Sequence, residues 1–122
     1  MAKRIFVLED DHDIRDVFEL LLKEEGYELE LSSSFSELKE LLKKSVPDLF
    51  VIDVMLPDAN GIDVCKDLKA QSATRNIPVI VMSANARSKQ MSVQACADDY
   101  IGKPFDIAHV MNKIDKLLLK PL

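Results

Sequence analysis

Leu49-Phe50-Val51-Ile52-Asp53 sets four consecutive apolar residues ahead of one carboxylate, with Pro47 just before the run and Pro57 soon after it. An unbroken apolar run of this length fits a strand buried on both faces, as in a parallel sheet covered by helices. Its acid then stands where the strand stops. Three further runs have the same form. Arg4-Ile5-Phe6-Val7-Leu8 leads into Glu9 and Asp10, Val79-Ile80-Val81-Met82 into Ser83, and Tyr100-Ile101-Gly102 into Lys103. In parallel neighbours, these acids, the hydroxyl and the ammonium meet at one edge of the sheet.

Amphipathic stretches alternate with the runs. Residues 12–25 place Ile14, Val17, Phe18, Leu21 and Leu22 on one helical face, and Gly26 suits the stop. A short strand is expected near Tyr27–Leu31. Ser34 and Glu37 then form a capping box ahead of Phe35, Leu38, Leu41 and Leu42. The turn cluster Pro57-Asp58-Ala59-Asn60-Gly61 opens a helix with Ile62, Cys65 and Leu68 inward. A weakly patterned helix covers roughly 87–96. The last helix carries Ile107, Val110, Met111, Ile114, Leu117 and Leu118 on one side.

Five strands alternating with five helices predict an α/β fold, a parallel sheet with helices on both faces. Right-handed crossovers leave few topologies, and the doubly wound order 2-1-3-4-5 is the expected one. Its switch point lies between strands 1 and 3, where Glu9, Asp10 and Asp53 would flank a crevice. The 122 residues read as one domain.

Composition removes other classes. No apolar run is long enough to span a bilayer, so no membrane partner is expected. A net charge of −5 argues against nucleic acid as a direct ligand, because phosphate binding needs a basic face. Cys65 and Cys96 lie far apart and read as small apolar side chains in a reducing cytoplasm.

Converging carboxylates repel one another, and a cation relieves them. Oxygen donors with no His or Cys nearby favour a hard ion such as Mg²⁺. Asp11 and Asp13 are better explained by the first helix's dipole. Lys103 can neutralise charge or hold a phosphoryl oxygen. Ser83 can donate to the same oxygen, or simply cap the next segment. An aspartate beside Mg²⁺ and Lys is a competent nucleophile toward phosphorus.

Val7-Leu8-Glu9-Asp10-Asp11, Val51-Ile52-Asp53-Val54-Met55-Leu56-Pro57 with Asn60-Gly61, Met82-Ser83-Ala84 and Asp98-Asp99-Tyr100-Ile101-Gly102-Lys103-Pro104-Phe105 together resemble the receiver domain of bacterial two-component response regulators. The resemblance covers essentially the whole chain and implies the flavodoxin/CheY-like fold. It implies that Asp53 accepts a phosphoryl group from a sensor histidine kinase or a phosphotransfer protein. Asp10, Asp53 and the Met55 carbonyl would bind Mg²⁺ directly, with Glu9 acting through water. Ser83 and Lys103 would hold the phosphoryl oxygens. Tyr100 matches an aromatic switch that turns inward as the Ser83 hydroxyl is drawn to the phosphate. Without phosphate it reads as a half-buried strand aromatic with a wet hydroxyl. Output would pass to a downstream effector domain or protein through the face of helix 4, strand 5 and helix 5. The unit is either free-standing or cut from a longer regulator, and catalyses only its own phosphorylation and dephosphorylation.

Two other readings share the topology. A phosphotransferase using an aspartyl phosphate needs a second acid two residues after its nucleophile, where this chain has Met55. A docking module without phosphorylation would not need the full set of Glu9, Asp10, Asp53, Ser83 and Lys103.

The chain also departs from the family pattern. The segment from Ser83 to Lys103 is about two residues shorter than usual, and Cys96 replaces a glycine at the end of helix 4. A short or irregular helix 4 is therefore expected. Lys89, Lys113 and Lys120, with Asp98 and Asp99, are candidates for a phosphorylation-dependent homodimer. Met55 and Asn85 flank the pocket where side chains tune attack by water.

Overall fold

A computed structural model of the chain describes residues 2–85, 87–94 and 97–118, so Cys96 and Lys120 lie outside the described residues. Strands and helices alternate throughout: β1 (Arg4–Leu8), α1 (His12–Glu24), β2 (Glu28–Ser32), α2 (Phe35–Leu42), β3 (Leu49–Asp53), α3 (Gly61–Ala70), β4 (Val79–Ser83), α4 (Arg87–Gln94), β5 (Asp99–Gly102) and α5 (Ile107–Leu118). The sheet is parallel, in the order β2-β1-β3-β4-β5, as the apolar runs predict.

Alternation along each strand divides the core in two. Phe6, Phe50, Ile52 and Val81 face Leu38 of α2 and Ile62, Cys65 and Leu68 of α3. Ile5, Val7, Val51, Ile80 and Met82 face Phe18 and Leu22 of α1 and Val110 and Ile114 of α5. Every residue of β3 and β4 is buried, which explains why these strands lack polar alternation.

Helix ends follow local chemistry. Tyr27 N–H donates to the Leu22 carbonyl and Gly26 N–H to that of Lys23, a Schellman ending with Gly26 at φ 85°. Val17 departs from the expected inward face: it is 39% exposed, because α1 meets the sheet mainly through Phe18 and Leu22. At α2 only half of the capping box forms as written. Ser34 Oγ accepts from Glu37 N–H, but the Glu37 carboxylate turns to Ser33, accepting from its N–H at 2.6 Å and its hydroxyl at 2.7 Å. The described α4 has eight residues, a little over two turns.

The β3–α3 loop closes very tightly. Gly61 N–H donates to the Val54 carbonyl at 2.8 Å, and Met55 and Asn60 form an isolated antiparallel bridge. A Cβ on Gly61 would lie 2.1 Å from the Asp53 carbonyl oxygen, so only glycine lets α3 start this close to the end of β3. Gly61→Ala should destabilise the protein by roughly 1–3 kcal/mol, measured by urea unfolding. Unchanged stability would mean that the loop yields without cost.

Ser33 holds the Glu37 carboxyl below its ordinary 4.5 through the backbone and hydroxyl bonds. A lowered pKa contributes stability that is present above 4.5 and is lost as pH falls through the folded value. Glu37→Gln should therefore be less stable than wild type at neutral pH and equal to it once the wild-type carboxyl is protonated. A constant difference across a pH series of melting curves would contradict this.

Candidate functional site

The register brings the predicted residues together. Leu8 pairs with Ile52, so Glu9 and Asp53 emerge side by side from β1 and β3. Ser83 pairs with Gly102, and Lys103 N–H donates to the Ser83 carbonyl at 2.9 Å. Carboxylate oxygens of Glu9, Asp10 and Asp53 all lie within 4.8 Å of one another. Glu9 and Asp53 are buried, whereas Asp10 opens to solvent.

Lys103 is the ammonium of this group. Its Nζ lies 2.6 Å from Glu9 Oε1 and 3.3 Å from Asp53 Oδ1, so the Glu9 contact is the shorter of the two. The Lys103–Pro104 bond is cis, and Phe105 packs its ring 5.8 Å from that of Phe18, seating the segment against α1. Burial works to lower the Lys103 pKa, but its hydrogen bond to Glu9 and the charges of Asp53 and Glu9 outweigh it and hold the ammonium above its ordinary value. Burial pushes the Glu9 carboxyl up, against the pull of Lys103, and Asp53 beside it adds to the rise. Both shifts arise where Glu9 and Asp53 are buried together beside the Lys103 ammonium.

The β1–α1 loop is pinned from several directions. Glu9 N–H donates to the Ser32 carbonyl, and Asp11 N–H returns to Glu9 Oε2 at 3.1 Å. Asp11 caps α1 by accepting from Asp13 and Ile14 N–H, the helix-start role expected of it. Arg15 was not anticipated. From the first turns of α1 its Nη1 donates to the carbonyls of Glu9 at 2.9 Å and Asp10 at 3.1 Å. A lone arginine at helical spacing gives no sequence signal for that return.

On the other side of Asp53 lies a cleft of about 670 Å³, bordered by Met55, Asn60, Ser83, Ala84, Asn85 and Met91. Met55 is 77% exposed at its mouth. Ser83 is buried, and its Oγ accepts from Asn85 N–H at 3.0 Å, so the capping reading of this hydroxyl holds. Tyr100 is half-buried, but its hydroxyl is not simply wet. It lies 3.2 Å from the Ser83 carbonyl and 3.0 Å from that of Asn85, donating to the β4–α4 loop.

The acids expected to serve pairing between two copies are engaged within the chain. Asp98 accepts from Lys69 Nζ and Val79 N–H, both at 2.8 Å. Asp99 pairs with Lys113 at 2.7 Å. Lys89 is exposed.

Chemically, three oxygen donors without nitrogen or sulfur fit a hard divalent cation. Comparison with known proteins identifies the family. The family model described as "Response regulator receiver domain" matches residues 5–115. The phosphate regulon transcriptional regulatory protein PhoB of Escherichia coli is 33% identical over 120 residues, which are 97% of this chain and 52% of that protein. The chain thus spans about half the length of the curated relatives it matches. Among solved structures, the signal receiver domain of a signal transduction histidine kinase from Syntrophus aciditrophicus is 31% identical, with a TM-score of 0.89 and coverage of 97% of this chain and 91% of that one. The Francisella response regulator 1452 receiver domain is 28% identical, with a TM-score of 0.89 and 98% of each chain covered. With the sheet order, the edge cluster and these matches in agreement, the chain belongs to the response regulator receiver domain family, the phosphorylation-dependent signalling domains of two-component systems.

Proposed function

We propose that residues 1–122 act as one receiver unit in which Asp53 accepts a phosphoryl group from the phosphohistidine of a sensor kinase or phosphotransfer protein. The observation that carries this reading is the junction of Glu9, Asp10 and Asp53 with Lys103 at one sheet edge. An Asp53 oxygen forms the new P–O bond as the P–N bond to histidine breaks, and the imidazole nitrogen keeps the electron pair. Asp10, Asp53 and the Met55 carbonyl would hold Mg²⁺, with Glu9 contributing through water. When bound, that ion supplies neutralisation of the carboxylates and of the charge on the transferred group.

The chain's own groups do the rest. Lys103 exchanges a carboxylate partner for a phosphoryl oxygen. The Ser83 hydroxyl donates to another such oxygen, giving up its contact with Asn85. Asn85 belongs to the loop that accepts the Tyr100 hydroxyl, so this exchange reaches α4 and β5. The α4–β5–α5 face then engages a downstream effector domain or protein. If two copies pair there, they draw on charges such as Lys89, because Asp98 and Asp99 are engaged within the chain. A cytoplasmic location, output in transcription and no direct nucleic-acid contact by this domain complete the reading.

Incubation with acetyl phosphate or a phosphorylated kinase should label wild type in the presence of Mg²⁺, and neither the metal-free protein nor Asp53→Asn. Equal labelling of wild type and Asp53→Asn would refute the assignment. Lys103→Ala should still bind Mg²⁺ but accept phosphate roughly 10²-fold more slowly, measured as the labelling rate at saturating Mg²⁺. A wild-type rate would remove Lys103 from the phosphoryl site.

A further inference from the structure

The β3–α3 loop, residues 54–60, is closed on itself by the Gly61–Val54 hydrogen bond and the Met55–Asn60 bridge. These bonds join its two ends, and Leu56 and Ala59 pack the loop against the core. Asp58 adds the hydrogen bonds that tie the tip to α2. Its Oδ1 accepts from Phe35 N–H at 2.9 Å and its Oδ2 from Ser36 N–H at 3.0 Å, across separations of 23 and 22 residues.

Those two N–H groups belong to the opening turn of α2, whose first four amides have no partner within the helix. Ser34 takes the amide of Glu37, so Asp58 supplies the acceptors that α2's own sequence does not. The contact is charge-assisted, bidentate, and set at the positive end of a helix dipole. The two amides also hold the Asp58 carboxyl below its ordinary value.

Between this anchor and the end of β3 stands Met55. Its carbonyl is a cation ligand in the function proposed above, and the present inference rests on that reading. A backbone carbonyl has no rotamer of its own. Its direction is set by the loop that carries it, and Asp58 ties that loop to the first turn of α2. We propose that Asp58 is a positioning residue for cation binding: by stapling the β3–α3 loop to the N-terminus of α2, it aims the Met55 carbonyl at the site formed with Asp10 and Asp53. Coupling of this kind is reciprocal, so the cation must in turn tighten the first turn of α2. Helix α2 thereby becomes part of the machinery that prepares the phosphoacceptor, although it carries none of the reacting groups.

The test is an Mg²⁺ titration of the ¹⁵N-labelled chain by NMR, for wild type, Asp58→Ala and Asp58→Asn, with amide hydrogen exchange measured in parallel. Asp58→Ala should raise the Mg²⁺ dissociation constant on the order of tenfold. Asp58→Asn, which keeps one carbonyl acceptor, should raise it less. In wild type, Mg²⁺ should slow exchange at the amides of Phe35 and Ser36. In Asp58→Ala it should not. A helix cap with no part in cation binding would lower the melting temperature and leave the dissociation constant unchanged, and that result overturns the proposal. So does wild-type Mg²⁺ binding that leaves Phe35 and Ser36 exchange unmoved. Should Asp58→Ala fail to fold, Asp58→Asn and wild-type exchange decide the matter. Absence of any wild-type response to Mg²⁺ would instead remove the cation site itself, and this inference with it.

Discussion

The controlling constraint in this molecule is the crowding of Glu9, Asp10 and Asp53 at one edge of a parallel sheet. Two of the three are buried, and among the described residues the Lys103 ammonium is the cation paired with them. Desolvated like charges cost several kcal/mol each unless they are paired. Lys103 therefore bridges Glu9 and Asp53, and Glu9 is pushed toward its neutral form. The remaining excess of negative charge suits the edge to a divalent cation.

The supports of this cluster are backbone devices. Arg15 binds the carbonyls of Glu9 and Asp10 on one side. Asp58 holds the loop after Asp53 on the other, and Gly61 leaves space for the close return. The output side is built differently. The Tyr100 hydroxyl meets the carbonyls of Ser83 and Asn85, at the end of β4 and just beyond it. Hydrogen bonds to loop carbonyls are individually modest, around 1 kcal/mol each, and exchange more readily than packed side chains.

Most of the fold was legible because burial on both faces writes itself into sequence. Runs such as Leu49–Ile52 and Val79–Met82 have no other economical explanation, and each delivers its polar residue to the predicted edge. Local periodicity erred where exposure depends on how a helix tilts, as at Val17. The capping box at Ser34 was visible but half correct, since its acid found Ser33 instead. What could not be read were contacts closed by tertiary structure. Asp58 looked like an ordinary turn residue, because nothing near it in sequence points 22 residues back to Ser36. Asp98 and Asp99 looked available to a partner until the fold placed Lys69 and Lys113 against them.

The phosphoacceptor assignment is best decided at the bond itself. After incubation with Mg²⁺ and a phosphodonor, borohydride reduction converts an aspartyl phosphate to homoserine, and peptide mapping by mass spectrometry locates it. Homoserine at position 53, and absent when the phosphodonor is omitted, is the expected result. Homoserine at another acid, or none in protein that has taken up phosphate, would contradict the role given to Asp53.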